Sequence, residues 1–79
     1  METTDHQPLP VSGYKPQSQE TIDLVNNNKR EEELALRNLD QLATLDFVDK
    51  RWLAIGRTHL EQAYMAINRS IFKPNRIEL

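Results

Sequence analysis

The sequence predicts an all-α fold: an antiparallel hairpin of two long helices with an extended N-terminal arm, assembled into a homo-oligomer. Two long segments with helical spacing of apolar residues are separated by a short break, which favours a hairpin. A chain of 79 residues buries too little surface to be stable without a further source of stability, such as disulfides, a metal ion or oligomerisation. The chain has no cysteine for disulfides, and its two histidines lack metal-ligand spacing, so oligomerisation is the expected supplement.

The N-terminal arm is predicted from its prolines. The first 17 residues contain three of the four prolines and show no helical period, which is typical of extended chain. Apolar residues around Gly13 and Tyr14 indicate that the later part of this arm docks against the rest of the protein. We therefore divide the chain into a flexible arm, residues 1–12, and a hairpin domain for oligomerisation and ligand binding, residues 13–79.

The first helix is predicted to begin after Ser18, a good N-cap residue, and to continue through Leu45. Glu20 and Asp23 stand in its first turns, where a negative charge favours a helix N-terminus. At 1.5 Å per residue such a helix is roughly 40 Å long and needs a partner along its length.

The break between the helices is predicted at residues 44–46. Asp46 is the expected N-cap of the second helix, with Asp49 three residues further on in its first turn. The second helix is expected to end near Lys73, because Pro74 disfavours helical geometry at the residue before it. A linker this short requires the two helices to run antiparallel.

The second helix carries two apolar stripes. The first predicted stripe consists of Leu53, Gly56, Leu60, Ala63, Ile67 and Ile71. The second consists of Val48, Trp52, Ile55, Met65, Ala66 and Phe72. Two apolar faces require two partners, and we expect these to be the first helix and another subunit. The small residues among them permit close approach between helices.

The middle of the first helix departs from the apolar pattern. Residues 26–33 are eight consecutive polar residues, so that Lys29 and Glu32 occupy positions where apolar side chains are expected. One interpretation is a solvated stretch or a kink, since three adjacent asparagines are poor helix formers. The other is that Lys29 projects from the packed seam into a polar cavity and provides a point charge for phosphate.

The sequence contains the side chains that a nucleotide site requires. Tyr14 can stack on a base, and Lys29, Arg30, Arg57 and Arg69 can contact phosphates. Other roles are open to the same residues: Tyr14 as an anchor of the arm, and Arg57 in a surface pair with Glu61.

Two further side chains have ordinary structural interpretations. Arg37 can form a surface pair with Asp40 or Gln41. His59, between apolar neighbours, has the pattern of a core residue more than that of a ligand.

Composition argues against several functional classes. The net charge is −2 with both signs interspersed, so we expect no general attraction to DNA or to an anionic membrane. No apolar run approaches the length of a membrane helix. The sequence lacks a glycine-rich phosphate loop and a histidine placed with a nucleophile, and the run Glu31 to Glu33 is typical of a charged helix surface. We therefore expect neither enzymatic activity nor a cofactor.

Residues 51–71, RWLAIGRTHLEQAYMAINRSI, resemble the second helix of the phage anti-CBASS cyclic-oligonucleotide sponges. The upstream elements Gly13-Tyr14-Lys15 and Asn28-Lys29 resemble the first half of that family, so the resemblance spans about residues 13–73. It implies a compact homohexamer of helical hairpins that sequesters cyclic nucleotide messengers without cleaving them. It therefore implies a block of CBASS antiphage signalling in the cytoplasm of the infected bacterial host.

The resemblance also assigns roles to individual residues. It implies that Tyr14 stacks on a base and that Lys29 contacts phosphate of a cyclic dinucleotide, such as cyclic GMP-AMP. Arg69 is the best match to an arginine that some members use at a second site for cyclic trinucleotides. Two alternatives stay open: a structural or adaptor oligomer that binds a protein partner, and a related sponge for another messenger, such as a cyclic ADP-ribose derivative.

Overall fold

The computed structural model describes residues 17–74, 76–77 and 79. This part of the chain forms two helices, α1 (Gln19–Leu42) and α2 (Lys50–Phe72), and contains no strand. Side-chain hydrogen bonds join the start of α1 to the end of α2, as from Gln17 Nε2 to the Phe72 carbonyl, so the helices run antiparallel. The predicted all-α hairpin is confirmed. Neither helix is long and apolar enough to cross a membrane.

The beginning of α1 follows the sequence signal. The Ser18 hydroxyl accepts a hydrogen bond from the Thr21 backbone N–H at 3.3 Å, and the Ser18 carbonyl accepts from the Ile22 N–H at 3.0 Å. The helix ends at Leu42, three residues before the predicted end. After Leu42 the backbone hydrogen bonds join residues three apart instead of four, as from the Leu45 N–H to the Leu42 carbonyl at 3.1 Å.

The N-cap of α2 is Asp49, and the expectation that Asp46 caps this helix is wrong. The Asp49 carboxylate accepts a hydrogen bond from the Trp52 backbone N–H at 3.0 Å. Asp46 lies within the turn, residues 43–49, where no helical N–H groups follow it. The Lys50 ammonium group donates to the Leu45 and Val48 carbonyls of the turn. The chain therefore reverses over seven residues rather than three.

The end of α2 lies where the sequence predicts it. Lys73 adopts a left-handed conformation with a φ of 38°, and its N–H donates to the Arg69 carbonyl at 2.7 Å. Pro74 follows and cannot continue the helix. The positive charge of Arg69 stands in the last turn, where it complements the helix dipole.

The seam between the helices differs in register from the predicted stripe on α2. Its less exposed residues on α2 are spaced by three or four: Leu53, Arg57, Leu60, Tyr64, Asn68 and Ile71. Gly56, Ala63 and Ile67, which were expected in this stripe, are exposed. Long side chains such as those of Arg57 and Tyr64 can cover apolar surface with their stems while their polar ends reach water, which a glycine or an alanine cannot do.

The hairpin buries little apolar surface. Among the described residues, Val25 of α1 is the only buried hydrophobic side chain, at 4% exposure. Large apolar side chains remain in contact with solvent, including Phe47 at 77% exposure and Trp52 at 63%. Exposed apolar surface on this scale is typical of chains that associate. The described fold is therefore consistent with the expected oligomer, whose size stays a prediction.

The position of the α2 N-cap can be tested with two aspartates of the same turn. We expect Asp49→Ala to destabilise the protein by about 1 kcal/mol, because it leaves a helix N–H without its acceptor. Asp46→Ala is the matched control and should change the free energy of unfolding by less than about 0.5 kcal/mol. Chemical denaturation at equal protein concentrations measures both, and a larger effect for Asp46→Ala would contradict the assignment.

Candidate functional site

A polar layer interrupts the seam in the first half of α1. The Asn28 amide Nδ2 donates to the Asn68 side-chain oxygen at 3.1 Å, joining the two helices across a half-buried contact. Asn28 follows the buried Val25 by three residues and occupies the seam position that was expected at Lys29. Because this bond pairs a donor of one amide with an acceptor of the other in a half-buried place, the layer is tolerated within the seam.

Lys29 and Arg69 flank this polar layer. Each directly follows one of the two bonded asparagines in sequence, so both lie at the same level of the hairpin. Both are exposed, and within the described part of the chain neither forms an ion pair. Two cations without a carboxylate partner at one level of a hairpin provide positive charge for a small anionic ligand.

Arg57 lies in a different place. It precedes Arg69 by twelve residues, which separates the two by about 18 Å along the helix axis. Its guanidinium Nη2 lies 2.5 Å from the Asp40 carboxylate, so this ion pair joins α2 to α1. A phosphate would have to compete with Asp40 for Arg57. The structure therefore brings Lys29 and Arg69 to one level and leaves Arg57 apart from them.

The surface ion pairs differ from the predicted alternatives. Arg57 pairs with Asp40 rather than with Glu61, and Arg37 pairs with Glu33 at 3.0 Å rather than with Asp40 or Gln41. The Arg37 pair joins residues four apart on the exposed surface of α1. Exposed pairs of this kind contribute little to stability. Their main effect is that Arg37 and Arg57 already have carboxylate partners, which a ligand would have to displace.

Two open grooves lie near the hairpin turn. One has a volume of about 420 Å³ and is lined by Asn38, Asp40, Gln41, Leu42, Thr44 and Leu45. The other, of about 330 Å³, is lined by Ala43, Lys50, Leu53, Ala54, Arg57 and Thr58. Neither lining includes Lys29 or Arg69. Lys29 and Arg69 thus lie away from these two grooves.

Tyr14 lies outside the described residues, and so does the predicted boundary between residues 12 and 13. The role of Tyr14 and the position of this boundary therefore stay predictions. His59 is exposed on α2, contrary to the expectation of a core residue. Among the described residues no group of three or more histidines or carboxylates is arranged to hold a metal ion.

Three roles were missed from the sequence: those of Asn68 and Tyr64 in the seam, and that of Asp40 as the partner of Arg57. A signal for the first two was present, because the spacing 53, 57, 60, 64, 68 and 71 is as regular as the purely apolar spacing that we preferred. No local signal identified Asp40, since its partner is 17 residues away on the other helix.

The comparison with known protein families gives a match. The sequence model of the family described as "Acb2/Tad1, hairpin domain" matches residues 7–72. This range contains both helices and all four predicted site residues, Tyr14, Lys29, Arg57 and Arg69. No curated protein and no solved structure gave a significant match.

The asparagine layer can be tested by a double-mutant cycle. We expect Asn28→Leu or Asn68→Leu alone to destabilise the hairpin by about 1 to 3 kcal/mol, because each leaves a half-buried amide without its partner. Replacing both with leucine should restore most of that loss, since an apolar pair leaves no polar group unsatisfied. Denaturant titration measures the four proteins, and additive single effects would show that the two amides do not interact.

Proposed function

The chain belongs to the Acb2/Tad1 hairpin family of anti-CBASS cyclic-oligonucleotide sponges, and from this premise we propose that it sequesters cyclic dinucleotides such as cyclic GMP-AMP without cleaving them. The family is known for binding rather than for catalysis. Its broad role is that of a sponge for cyclic nucleotides, and the match over residues 7–72 carries this role to the present chain. Sequestration would block CBASS antiphage signalling in the cytoplasm of the infected bacterial host.

The observation that supports the site is the pair of exposed cations beside the asparagine layer. Lys29 and Arg69 offer charge-assisted hydrogen bonds to phosphate oxygens, and no described carboxylate competes for either one. The Asn28 and Asn68 side chains hold the backbone of both helices together at this level. We assign Lys29 to the phosphates of a cyclic dinucleotide.

Chain length allows Tyr14 to contribute to the same site. Lys29 lies ten residues after the start of α1 at Gln19, a distance of about 15 Å along the helix. Tyr14 precedes Gln19 by five residues, which span at most about 18 Å when extended. A tyrosine on this arm can therefore reach the level of Lys29 and stack on a base. Such stacking contributes about 1 to 3 kcal/mol per base.

A second subunit would complete this pocket. Neither described groove includes Lys29 or Arg69, and a single hairpin presents them on an open surface. A cyclic dinucleotide has approximate two-fold symmetry, which suits a site between related subunits. We propose a homo-oligomer, of the hexameric kind that the family resemblance implies, with ligands bound at the subunit interfaces.

The two remaining arginines have separate roles in this proposal. Arg69 can contact phosphates beside Lys29, and we also propose it for the second site, for cyclic trinucleotides, that the family resemblance implies. Arg57 is a weaker contributor, because Asp40 already occupies its guanidinium group and because it lies about 18 Å from Arg69.

Ligand binding can be measured by thermal shift with a panel of cyclic dinucleotides and trinucleotides. A ligand at 100 times its dissociation constant adds about 2.7 kcal/mol to the folded state, which raises the melting temperature by several degrees. We expect at least one cyclic dinucleotide to produce this shift. If no cyclic nucleotide at micromolar concentration stabilises the protein, the proposed function is wrong.

The site residues can be tested with alanine variants, together with a control that removes a positive charge elsewhere on α1. We expect Tyr14→Ala and Lys29→Ala each to weaken cyclic dinucleotide binding at least tenfold in calorimetry, with the oligomer unchanged in light scattering. Arg37→Ala is the control, because it removes one exposed positive charge of α1 that pairs with Glu33 and has no assigned ligand role. Equal affinity of all three variants would show that the assigned site is incorrect.

Release of intact ligand separates a sponge from an enzyme. We expect a bound cyclic dinucleotide to be recovered unchanged after heat denaturation of the complex, as judged by chromatography and mass. Recovery of linear nucleotides from the purified complex, beyond a control without protein, would exclude the sponge mechanism.

A further inference from the structure

The asparagine layer of the seam keeps hydrogen-bonding groups in reserve. In the bond between the two helices, Asn28 contributes its NH2 group and Asn68 contributes its side-chain carbonyl oxygen. The carbonyl oxygen of Asn28 and the NH2 group of Asn68 have no hydrogen-bond partner among the described residues. Both side chains are half-buried, so a ligand can still reach part of each amide. The layer therefore offers one acceptor and one donor close together.

The exposed cations Lys29 and Arg69 lie on the same flank of the hairpin, with the amide pair between them. Each follows a bonded asparagine by one residue, which turns the side-chain direction by about 100° around its helix. Because the helices run antiparallel, this turn carries both cations to the same side of the plane that contains the two helix axes. A phosphate held by Lys29 is therefore placed beside the free groups of the asparagine layer.

A ribonucleotide diester carries a group that matches these free atoms. The ribose 2′-hydroxyl both donates and accepts a hydrogen bond, and proteins distinguish RNA from DNA by contacts to it. In a 3′-linked phosphodiester this hydroxyl stands on the ring carbon next to the one that bears the phosphate. The base is one ring carbon further from that phosphate. The first neutral polar group beside a phosphate bound at Lys29 is thus a 2′-hydroxyl.

We propose that Asn28 and Asn68 bind the 2′-hydroxyl of the cyclic ribonucleotide whose phosphate contacts Lys29. The NH2 group of Asn68 donates to the hydroxyl oxygen, and the hydroxyl donates to the carbonyl oxygen of Asn28. The amide pair is then a specificity element, which selects ribonucleotides over deoxyribonucleotides. This inference rests on the proposed function, since it concerns the ligand of the same site.

The neighbouring cations cannot supply this selectivity. A lysine or an arginine donates to any phosphate, whichever sugar the phosphate joins. A donor and an acceptor held together by the Asn28–Asn68 bond lose both contacts when the hydroxyl is missing, and polar groups left unpaired in this way are costly. An apolar pair at these two positions would serve the seam at least as well, so a ligand contact gives the polar pair a reason that packing does not.

Two ligands that differ only in the hydroxyls test the proposal. These are cyclic GMP-AMP and its analogue with hydrogen in place of both 2′-hydroxyls, each titrated by calorimetry. We expect the unsubstituted protein to bind the ribose form at least about tenfold more tightly. The double variant Asn28→Leu/Asn68→Leu should bind the ribose form at least about fivefold more weakly, and the deoxy form as before, so that the ratio falls to within about twofold.

The ratio of the two affinities separates ligand contact from a purely structural role. A variant that only disturbed the positions of Lys29 and Arg69 would weaken both ligands equally and keep the ratio. Any effect of the missing hydroxyls on the shape of the ligand itself is the same for both proteins and cancels in the comparison. Asn27→Leu is the matched control, because Asn27 is an exposed asparagine one residue before the layer and faces the other flank. It should keep the ratio of the unsubstituted protein.

Equal binding of the two ligands by the unsubstituted protein would overturn this inference and leave the proposed function intact. That comparison needs no variant, so it is decisive even if the leucine pair does not fold. Retention of the full ratio in the leucine pair would also overturn the role of the two asparagines. If neither ligand binds, this inference fails together with the assignment of cyclic GMP-AMP to the site.

Discussion

A hairpin of two helices has one internal seam in which to remove side chains from water, and that limit governs the rest of this structure. In the described residues the seam encloses Val25 and leaves most other seam positions half-exposed. Apolar side chains that the seam does not accommodate, such as Trp52, remain on the outside. We therefore expect a protein built in this way to need further contacts, because a single thin seam buries too little apolar surface to offset the entropy of ordering the chain.

A polar layer replaces part of the apolar contact in the seam. The bond between Asn28 and Asn68 contributes less stability than an apolar pair of the same size, yet it specifies which positions of the two helices face each other. The layer also fixes the level at which Lys29 and Arg69 stand on the hairpin. A polar interruption that reduces the apolar contact of the seam therefore positions the two exposed cations on which the proposed ligand site depends.

The charges of the hairpin divide into occupied and available groups. Arg57 and Arg37 each have a carboxylate partner, and Lys50 holds the turn by donating to backbone carbonyls. Lys29 and Arg69 have no such partner in the described structure, and neither do Arg30, Lys73 and Arg76. The ion pairs thus separate arginines with a structural role from cations that are available to a ligand, although the sequence presents all of them as equivalent surface cations.

Local signals in the sequence determined the class of fold, the start of α1 at Ser18 and the stop of α2 before Pro74. They did so because a cap or a proline acts on residues within one turn of itself. The sequence also identified the family, since a family resemblance is a property of the sequence alone. The resemblance was carried by residues 51–71 together with the elements at residues 13–15 and 28–29.

Only the tertiary structure decided the register of the seam. It placed Asn28 rather than Lys29 in the seam and chose Asp49 over Asp46 as a cap, because the chain needs seven residues to reverse before α2 can pack on α1. Asn28 and Asn68 are 40 positions apart, and their contact depends on how both helices are aligned. Spacing along one helix cannot determine that alignment, because the side chains opposite it belong to a distant part of the chain.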